Sequence, residues 1–198
     1  FRCANLTEVS IQNGLHSIGE SAFAYCSALS DINLPASLQS IGDHAFEQCG
    51  LKNITVDSGN SDFTVIDGVL FDSSAKTLYC YPGGKNSISE PGEYTIPQGV
   101  TSIAPSALKG CSLSAVNIPD SVTTIGDGAF ANNLMTSITI PASVTSIGNR
   151  VFSYCHLEKF VVEEGNTAFC AKDGALLSKD GTKFYCYPYR RDDSTYTV

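Results

Sequence analysis

Eight cysteines are the residues of this sequence best suited to chemistry, because thiols form disulfides and bind zinc. Four of them recur at one position of an internal repeat, where small apolar side chains stacked on one another would fill a buried core. We therefore predict a structural ladder of Cys26, Cys49, Cys111, Asn133 and Cys155. Disulfides among Cys3, Cys26 and Cys49 are the alternative, but pairing two of these leaves the third unmatched. A zinc site is disfavoured because the sequence has no C-x-x-C pair.

The histidines and serines form no catalytic pattern. His16, His44 and His156 fall four, nine and fifteen residues after the start of their repeats, so we do not expect them to converge. The sequence has no G-x-S-x-G motif, and it has no glycine-rich loop with the spacing that holds a phosphate. We therefore predict a protein that is not an enzyme and takes no cofactor.

One acidic cluster offers the oxygen ligands that calcium prefers, at Asp57, Asn60, Asp62, Asp67 and Asp72. A second copy of this segment, 106 residues later, has alanine in place of Asp62 and serine in place of Asp72. A ligand set should survive duplication better than this. We therefore interpret Gly59-Asn60 and Asp67-Gly68 as turns, and we predict no metal site.

The elements that must position these residues follow an internal period. If the proline of the segment INLP is taken as the origin, equivalent positions fall at Gln12, Pro35, Asp57, Pro82, Pro97, Pro119, Pro141, Glu163 and Pro188. Apolar residues recur three, six and eleven positions after the origin in the regular repeats, and we predict that they form the core: Leu15, Leu38, Val100, Val122 and Val144; Ile18, Ile41, Ile103, Ile125 and Ile147; Phe23, Phe46, Leu108, Phe130 and Phe152. A glycine follows the isoleucine in four repeats, where we expect a tight corner and then a short helical turn.

The full pattern is P-x-x-V-x-x-I-G-x-x-A-F-x-x-C, preceded by L-x-x-I-x-I. It resembles a leucine-rich repeat, and more specifically the BspA-like branch of bacterial surface leucine-rich repeat proteins, over nearly the whole chain. The resemblance implies a mainly β, right-handed leucine-rich-repeat solenoid, with parallel strands on a concave side and short helical turns on the other. Each L-x-x-I-x-I segment should form one short strand, stacked about 4.8 Å from the next.

Alternate residues of such strands face the core and the solvent. The outward residues would form a row on the concave side, and we predict that this row binds a partner. Its predicted members are Ser10, Asn33, Thr55, Cys80, Thr95, Asn117, Thr139, Val161 and Cys186.

Two segments break the period in the same way, because residues 54–82 recur as residues 160–188. We interpret 54–95 and 160–198 as irregular modules inserted into one solenoid that spans residues 1–198. The sequence Tyr-Thr at positions 196 and 197 matches positions 94 and 95, which lead into a further repeat, so we expect the chain to be cut at both ends.

The Y-C-Y-P sequence of each module permits two placements. In the one that we favour, Pro82 starts an extra short coil, Tyr79 and Tyr81 point inward, and Leu78 and Cys80 are exposed. In the other, the segment is a β-hairpin that protrudes from the flank of the solenoid, with both tyrosines packed beneath it.

The acidic balance limits the class of partner. The net charge is −8 and the isoelectric point is near 4.7, which argues against nucleic acid and anionic membranes. No apolar run of about 18 residues is present, so we expect no membrane insertion. The resemblance implies an extracellular or cell-surface adhesion scaffold that binds a host or bacterial protein, or a glycan. The alternative is a structural spacer that presents another domain, and in either case we expect a monomer.

Overall fold

The computed structural model describes residues 3–189, in which short strands follow one another with almost no helix. In chain order the strands are β1 (Ser17–Ile18), β2 (Asp31–Leu34), β3 (Ser40–Ile41), β4 (Asn53–Val56), β5 (Phe63–Ile66), β6 (Val69–Asp72), β7 (Thr77–Cys80), β8 (Gly92–Thr95), β9 (Ser102–Ile103), β10 (Leu113–Asn117), β11 (Thr124–Ile125), β12 (Ser137–Ile140), β13 (Ser146–Ile147), β14 (Lys159–Val162), β15 (Phe169–Lys172), β16 (Ala175–Ser178) and β17 (Phe184–Cys186). A single 3-10 turn, Gly83–Lys85, is the one helical element in this range. The chain forms a β-solenoid of about seven turns, which confirms the predicted fold class.

The L-x-x-I-x-I segments form parallel strands on one side of the solenoid, which we call the strand face. The strands pair as β2 with β4, β8 with β10, and β12 with β14, each in parallel register. Within them burial alternates, since Ile32 and Leu34 are buried while Asn33 between them is exposed. This alternation places one set of side chains in the core and the other in solvent.

A second parallel sheet, which the sequence did not predict, follows each corner. It is built from two-residue strands at the repeated Ser-Ile or Thr-Ile positions, with β9, β11 and β13 in register and β1 paired with β3. The isoleucine of each strand faces the core, and Ile103 and Ile125 are each 1% exposed. A coil of the solenoid therefore has a strand on each of two sides.

The segment after each of these strands is an arc rather than the predicted helical turn. The arcs are residues 19–26, 42–49, 104–111, 126–133 and 148–155. In every arc the residues nine and thirteen positions after the origin have a left-handed backbone, as at His44 (φ 59°) and Gln48 (φ 48°). This backbone directs alternate N–H groups to the next coil, so that Leu108 N–H donates to Ala129 O at 2.9 Å. A continuous helix would have spent those N–H groups within the arc.

In three of the four repeats, at Gly42, Gly126 and Gly148, the glycine that follows the isoleucine is required by close approach and not by a left-handed conformation. A Cβ atom at Gly42 would lie 2.5 Å from the backbone nitrogen of Glu20, and one at Gly126 would lie 2.6 Å from that of Pro105. Any larger residue would push the corners of adjacent coils apart.

The third coil differs from the others and corrects both predicted placements of Y-C-Y-P. An antiparallel hairpin of β5 and β6, closed by the Asp67-Gly68 turn, leads into β7. Strand β7 then runs parallel to β9 in the second sheet, with Leu78 opposite Ile103. Pro82 therefore starts no extra coil, because the whole segment from β4 to β8 is one coil with a hairpin inserted and a short arc.

The same strands recur 106 residues later. Strands β15 and β16 form a hairpin closed by Asp173-Gly174, and β17 pairs with β16 as β7 pairs with β6. Asp-Gly is the residue pair expected at such a two-residue turn, because both positions need a positive φ. The predicted module 160–198 ends at residues that lie outside the described part of the chain.

The core runs along the axis of the solenoid. Leu38, Val100, Val122 and Val144 are fully buried, and Phe130 stacks on Phe152 with ring centroids 5.9 Å apart. Among the predicted core positions, Phe23 and Ile41 are half-buried, and Leu15 is 39% exposed. It lies in the first coil described, against which only one neighbouring coil packs.

Candidate functional site

The strand face carries seven of the nine residues of the predicted row. Asn33 lies beside Thr55, Thr95 beside Asn117, and Thr139 beside Val161, as Cα partners in the parallel pairs. Ser10 is in the first coil. All seven side chains are exposed: Ser10, Asn33, Thr55, Thr95, Asn117, Thr139 and Val161.

Hydrogen bonds join members of this row across neighbouring coils. Thr55 Oγ1 donates to Asn33 Oδ1 at 2.8 Å, and Asn33 Nδ2 in turn donates to Asp57 Oδ1 at 2.7 Å. Asn117 Nδ2 donates to Thr95 Oγ1 at 3.2 Å. Two neighbouring pairs of the row thus hold each other's side chains in place.

A parallel outward row begins at Asp31. Asn53 Nδ2 donates to Asp31 Oδ1 at 2.7 Å, and Ser30 Oγ donates to the other carboxylate oxygen. The hydrogen bonds from Ser30 and Asn53 hold the pKa of Asp31 below its ordinary value. This end of the strand face therefore carries a fixed negative charge at neutral pH.

A depression lies between β10 and β12 on the strand face. Its volume is about 370 Å³, and Asn117 and Thr139 contribute to its wall together with Ala115, Ser137 and Glu163. Glu163 is exposed and accepts a hydrogen bond from Ala142 N–H at 3.0 Å, which fixes its position at the rim. Two members of the predicted row therefore line a concave volume here.

Cys80 and Cys186 do not lie on the strand face, so their predicted place in the row is wrong. Cys80 is in β7, which belongs to the second sheet, and it is 5% exposed. Leu78, predicted to be exposed with it, is fully buried. Cys186 is in β17, half-buried, and lines a cavity together with Cys155. In β7 the buried pair is Leu78 and Cys80, which is the reverse of the alternation predicted for an extra coil.

The five predicted ladder positions are all buried. Cys26, Cys49, Cys111, Asn133 and Cys155 are between 1% and 5% exposed, and all eight cysteines of the chain are free thiols. Cys49 Sγ donates to Cys26 O at 3.3 Å, and Cys155 Sγ donates to Phe130 O at 3.1 Å. Asn133 makes the equivalent link with its amide, which donates to Leu108 O at 2.7 Å.

Burial makes three of these thiols, those of Cys49, Cys111 and Cys155, poor nucleophiles. Desolvation raises the pKa of Cys49 and of Cys155 to about 11, and it raises the pKa of Cys111 well above the ordinary value. The thiolate is the reactive form of cysteine, and at neutral pH these side chains hold almost none of it. Their arrangement supports packing between coils.

In the acidic cluster that resembled a calcium site, the side chain of Asn60 makes hydrogen bonds that stabilise a turn. Asn60 donates to Pro35 O and Leu38 O and accepts from the backbone N–H groups of Asp62 and Phe63, at 2.8 to 3.0 Å. Asn166, its counterpart in the second copy, makes the same four bonds. Within residues 3–189, no group of three or more His, Cys, Asp or Glu residues is arranged to hold a metal ion.

The replacement of Asp72 by Ser178 in the second copy follows from the same turn bonding. Asp72 Oδ1 accepts from Thr77 N–H at 3.0 Å, and Ser178 Oγ accepts from Lys183 N–H at 2.8 Å. Lys183 stands 106 residues after Thr77, so the two bonds are equivalent. An oxygen acceptor is all that this position requires.

A cluster of charged and polar residues that the sequence did not suggest lies on the arcs. Lys109 Nζ contacts Glu47 Oε1 at 2.7 Å, Tyr25 hydroxyl donates to the same oxygen at 2.6 Å, and His44 Nδ1 lies 2.7 Å from Ser106 Oγ. The arcs of the second and fourth coils meet here because the arc of the third coil is short. Burial would raise the pKa of Glu47, but the hydrogen bonds from Lys109 and Tyr25 outweigh this effect and hold the pKa below its ordinary value.

The cluster combines a serine, a histidine and a carboxylate, but not as a proton relay. Ser106 Oγ and Glu47 Oε2 both face Nδ1 of His44, at 2.7 and 3.3 Å. A relay needs the nucleophile and the carboxylate on different ring nitrogens. What this geometry supports is a brace between two coils that are not consecutive.

The 3-10 turn Gly83–Lys85, the one helical element in residues 3–189, lacks the length and apolar character needed to cross a membrane.

Comparisons with known proteins agree with this architecture. A family model described as "BspA type Leucine rich repeat region" matches, in six copies, residues 1–91 and 86–172. No curated protein matches the sequence.

Three solved structures are similar to the chain. One is a leucine-rich repeat protein from Eubacterium ventriosum, at 29% identity and a TM-score of 0.70, over 77% of this chain and 41% of that one. Another is the pneumococcal vaccine antigen PcpA, at 26% identity and a TM-score of 0.63, over 77% and 44%. A third is a leucine rich cell surface protein from Faecalibacterium prausnitzii, at 28% identity and a TM-score of 0.54, over 98% and 56%. The chain spans about half the length of these structures.

Proposed function

The chain belongs to the family of BspA-type leucine-rich repeat proteins, and from this we propose that it is a non-catalytic scaffold that binds a protein partner through its strand face. The observation that carries the proposal is the in-register row of exposed side chains, two of which, Asn117 and Thr139, line the depression between β10 and β12. Short side chains that are mutually hydrogen-bonded lose little entropy on binding, which favours association through many modest contacts.

The charge of the strand face indicates the kind of protein surface that fits it. Asp31, Asp57, Glu93 and Glu163 are exposed on or beside its strands, against Lys52 and Lys159. With a net charge of −8 for the whole chain, long-range attraction favours a partner that presents a basic patch. Direct contacts would then be made by the neutral hydroxyl and amide groups of the row.

A place outside the bacterial cell and a role in adhesion to a host or bacterial protein are part of the same proposal. They are supported by the family and by the similarity to a protein described as a leucine rich cell surface protein. We further propose that the chain acts as a monomer. Within residues 3–189 the inner coils are covered by a neighbour on each side, so the strand face is the surface that remains available along them.

The test is a double substitution in the depression, Asn117→Glu with Thr139→Glu. A screen of the purified chain against extracellular-matrix proteins would first identify a partner, and the affinity would be measured by calorimetry. Because the basic patch acts at long range and the row itself would meet neutral groups, two carboxylates buried there without a cationic partner should weaken binding by at least tenfold, which is about 1.4 kcal/mol. Circular dichroism would establish that the variant is folded.

The matched control is Thr124→Glu with Ser146→Glu. These two residues are Cα partners on β11 and β13, and both are exposed strand positions on adjacent coils, but they belong to the second sheet. The control adds the same charge to the same kind of backbone on another side of the solenoid. Equal affinity of all three proteins, or an equal loss in both variants, would refute a binding site on the strand face.

A further inference from the structure

The arcs form a cleft on the side of the solenoid away from the strand row. Its volume is about 890 Å³, and it is lined by residues of the first, second, fourth, fifth and sixth coils, from Tyr25 to Tyr154. The short arc of the third coil explains its shape. The third coil has only the short turn Gly83–Lys85 at this place, so the arcs of the second and fourth coils meet at the Glu47–Lys109 contact.

The lining of the cleft mixes apolar and polar surface and carries little net charge. Planar hydrogen-bonding groups come from Gln48, Asp127, Asn132, Asn149 and Arg150, and the charges of Asp127 and Arg150 cancel. Lys109 also lines the cleft, but its charge is matched by Glu47 at 2.7 Å. A neutral ligand with many hydroxyl groups suits this chemistry, because amide, carboxylate and guanidinium groups together supply both donors and acceptors.

Two tyrosines mark the ends of the cleft. Tyr154 is 79% exposed, and Tyr25 is half-buried, with its hydroxyl fixed on Glu47. Aromatic rings present a flat apolar face with a polar tip, which can cover the C–H face of a sugar ring while its hydroxyls are bound elsewhere. The two residues occupy the same repeat position on coils one and six, so a ligand that touches both must be elongated.

The backbone of the arcs offers little to a peptide. The N–H groups that point along the solenoid axis are already used between coils, as in Gly110 to Ala131 and Asn132 to Ser153, at 2.9 and 2.8 Å. Extended peptides bind mainly through such groups on an open sheet edge. Side chains alone remain for recognition in the cleft.

The side chains of the cleft are kept at a cost in stability. Tyr25, Gln48, Asn132, Arg150 and Tyr154 have φ between 48° and 61°, a conformation that glycine adopts without strain. Gly110 and Gly128 show that the same repeat positions accept glycine. Large side chains at these positions therefore do not improve the arc itself, and they do shape the cleft.

We infer that this cleft is a second binding site, separate from the strand face, for a neutral oligosaccharide of several sugar units. The tyrosines would cover sugar faces at its two ends, and the amide, carboxylate and guanidinium groups between them would bind hydroxyls.

The test uses glycine substitutions that remove side chains without straining the arc. The double variant Asn132→Gly with Tyr154→Gly would be titrated, beside the wild type, with maltohexaose, cellohexaose, mannohexaose, xylohexaose and the chitin hexasaccharide. At least one of these sugars should bind the wild type with a dissociation constant of about 1 mM or lower. The double variant should bind it at least tenfold more weakly, with an unchanged or higher melting temperature.

Ser21→Gly is the matched control, because Ser21 has the same conformation (φ 55°) but does not line the cleft. It should bind the sugar as the wild type does, and so should the strand-face variant Asn117→Glu with Thr139→Glu. Failure of every sugar to bind, or full binding by Asn132→Gly with Tyr154→Gly, would overturn the inference. Neither result would bear on a protein partner at the strand face.

Discussion

Replacing Asn166 by alanine should remove one of the strongest links between two coils. The side chain is 1% exposed, and its four hydrogen bonds join Pro141 O and Val144 O to the backbone N–H groups of Ala168 and Phe169, at 2.7 to 3.1 Å. With a net value near 1 kcal/mol for each bond, the expected loss is about 4 kcal/mol of unfolding free energy. For a chain of this size that corresponds to a melting temperature lower by about 8 to 16 °C.

Asn60→Ala is the internal replicate of this experiment. Asn60 makes the same four bonds in the first copy of the module, but it is half-buried, so water can replace part of what is lost. We expect about half the effect, roughly 2 kcal/mol, in a urea or thermal melt followed by circular dichroism. A cost below about 1 kcal/mol for Asn166→Ala would refute the view that this amide holds the coils together.

Asn166→Asp separates hydrogen bonding from size. The new carboxyl keeps the two bonds from backbone N–H groups, but its second oxygen would face two carbonyl oxygens. Its pKa in the folded state should therefore lie above the unfolded value of about 3.9. The variant should be least stable at neutral pH, and it should recover stability as the pH falls through the raised pKa. A penalty that does not change with pH would contradict this account.

Two further predictions concern the arcs and the thiols. Glu47→Gln should cost about 1 kcal/mol of unfolding free energy at pH 7. Because the pKa of Glu47 is lowered in the folded state, this difference from the wild type should persist at pH values above 4.5, the ordinary pKa, and vanish as the pH falls below it. Thermal melts across a pH series measure the difference. Under native conditions at pH 8, iodoacetamide should label the exposed Cys3 well before the buried Cys49, Cys80, Cys111 and Cys155. In denaturant all eight cysteines should react, as measured by mass spectrometry. Fast labelling of Cys111 under native conditions would contradict its burial.

The regular coils could be predicted from the sequence because each apolar position is repeated. Val100, Val122 and Val144 stand three residues after successive origins, and all three are fully buried. A repeated position has the same neighbours in every coil, so one physical environment dictates several residues at once. The core positions and seven of the nine predicted row residues therefore followed from spacing, whereas the fold class followed from the family resemblance of the pattern.

The Y-C-Y-P placement failed because two periods fitted the same residues. Pro82 lies where an origin was expected, and alternation in Thr77–Pro82 fits either the tyrosines or Leu78 and Cys80 as the buried set. Pairing of β7 with β9 decides between them, since it places Leu78 beside Ile103. That pairing joins segments separated by an inserted hairpin, and local sequence carries no signal for it.

The helical turns were wrong for a different reason. Residues such as Gln48, Tyr25 and Arg150 rarely adopt a left-handed backbone, so their identities give no indication of one. The bonding between coils overrides this local preference. The Glu47 cluster, in contrast, carried a usable signal, because His44 shares a repeat position with Ser106 and Glu47 shares one with Lys109.

The short arc of the third coil also changes how the solenoid should fold and unfold. In a regular solenoid each coil interacts only with the next, so the chain can lose structure from either end one coil at a time. Here Glu47 and Lys109, 62 residues apart, connect the second coil directly to the fourth. Coils two to four should therefore form and melt as one cooperative unit, and hydrogen exchange should show them opening together while the first coil frays independently.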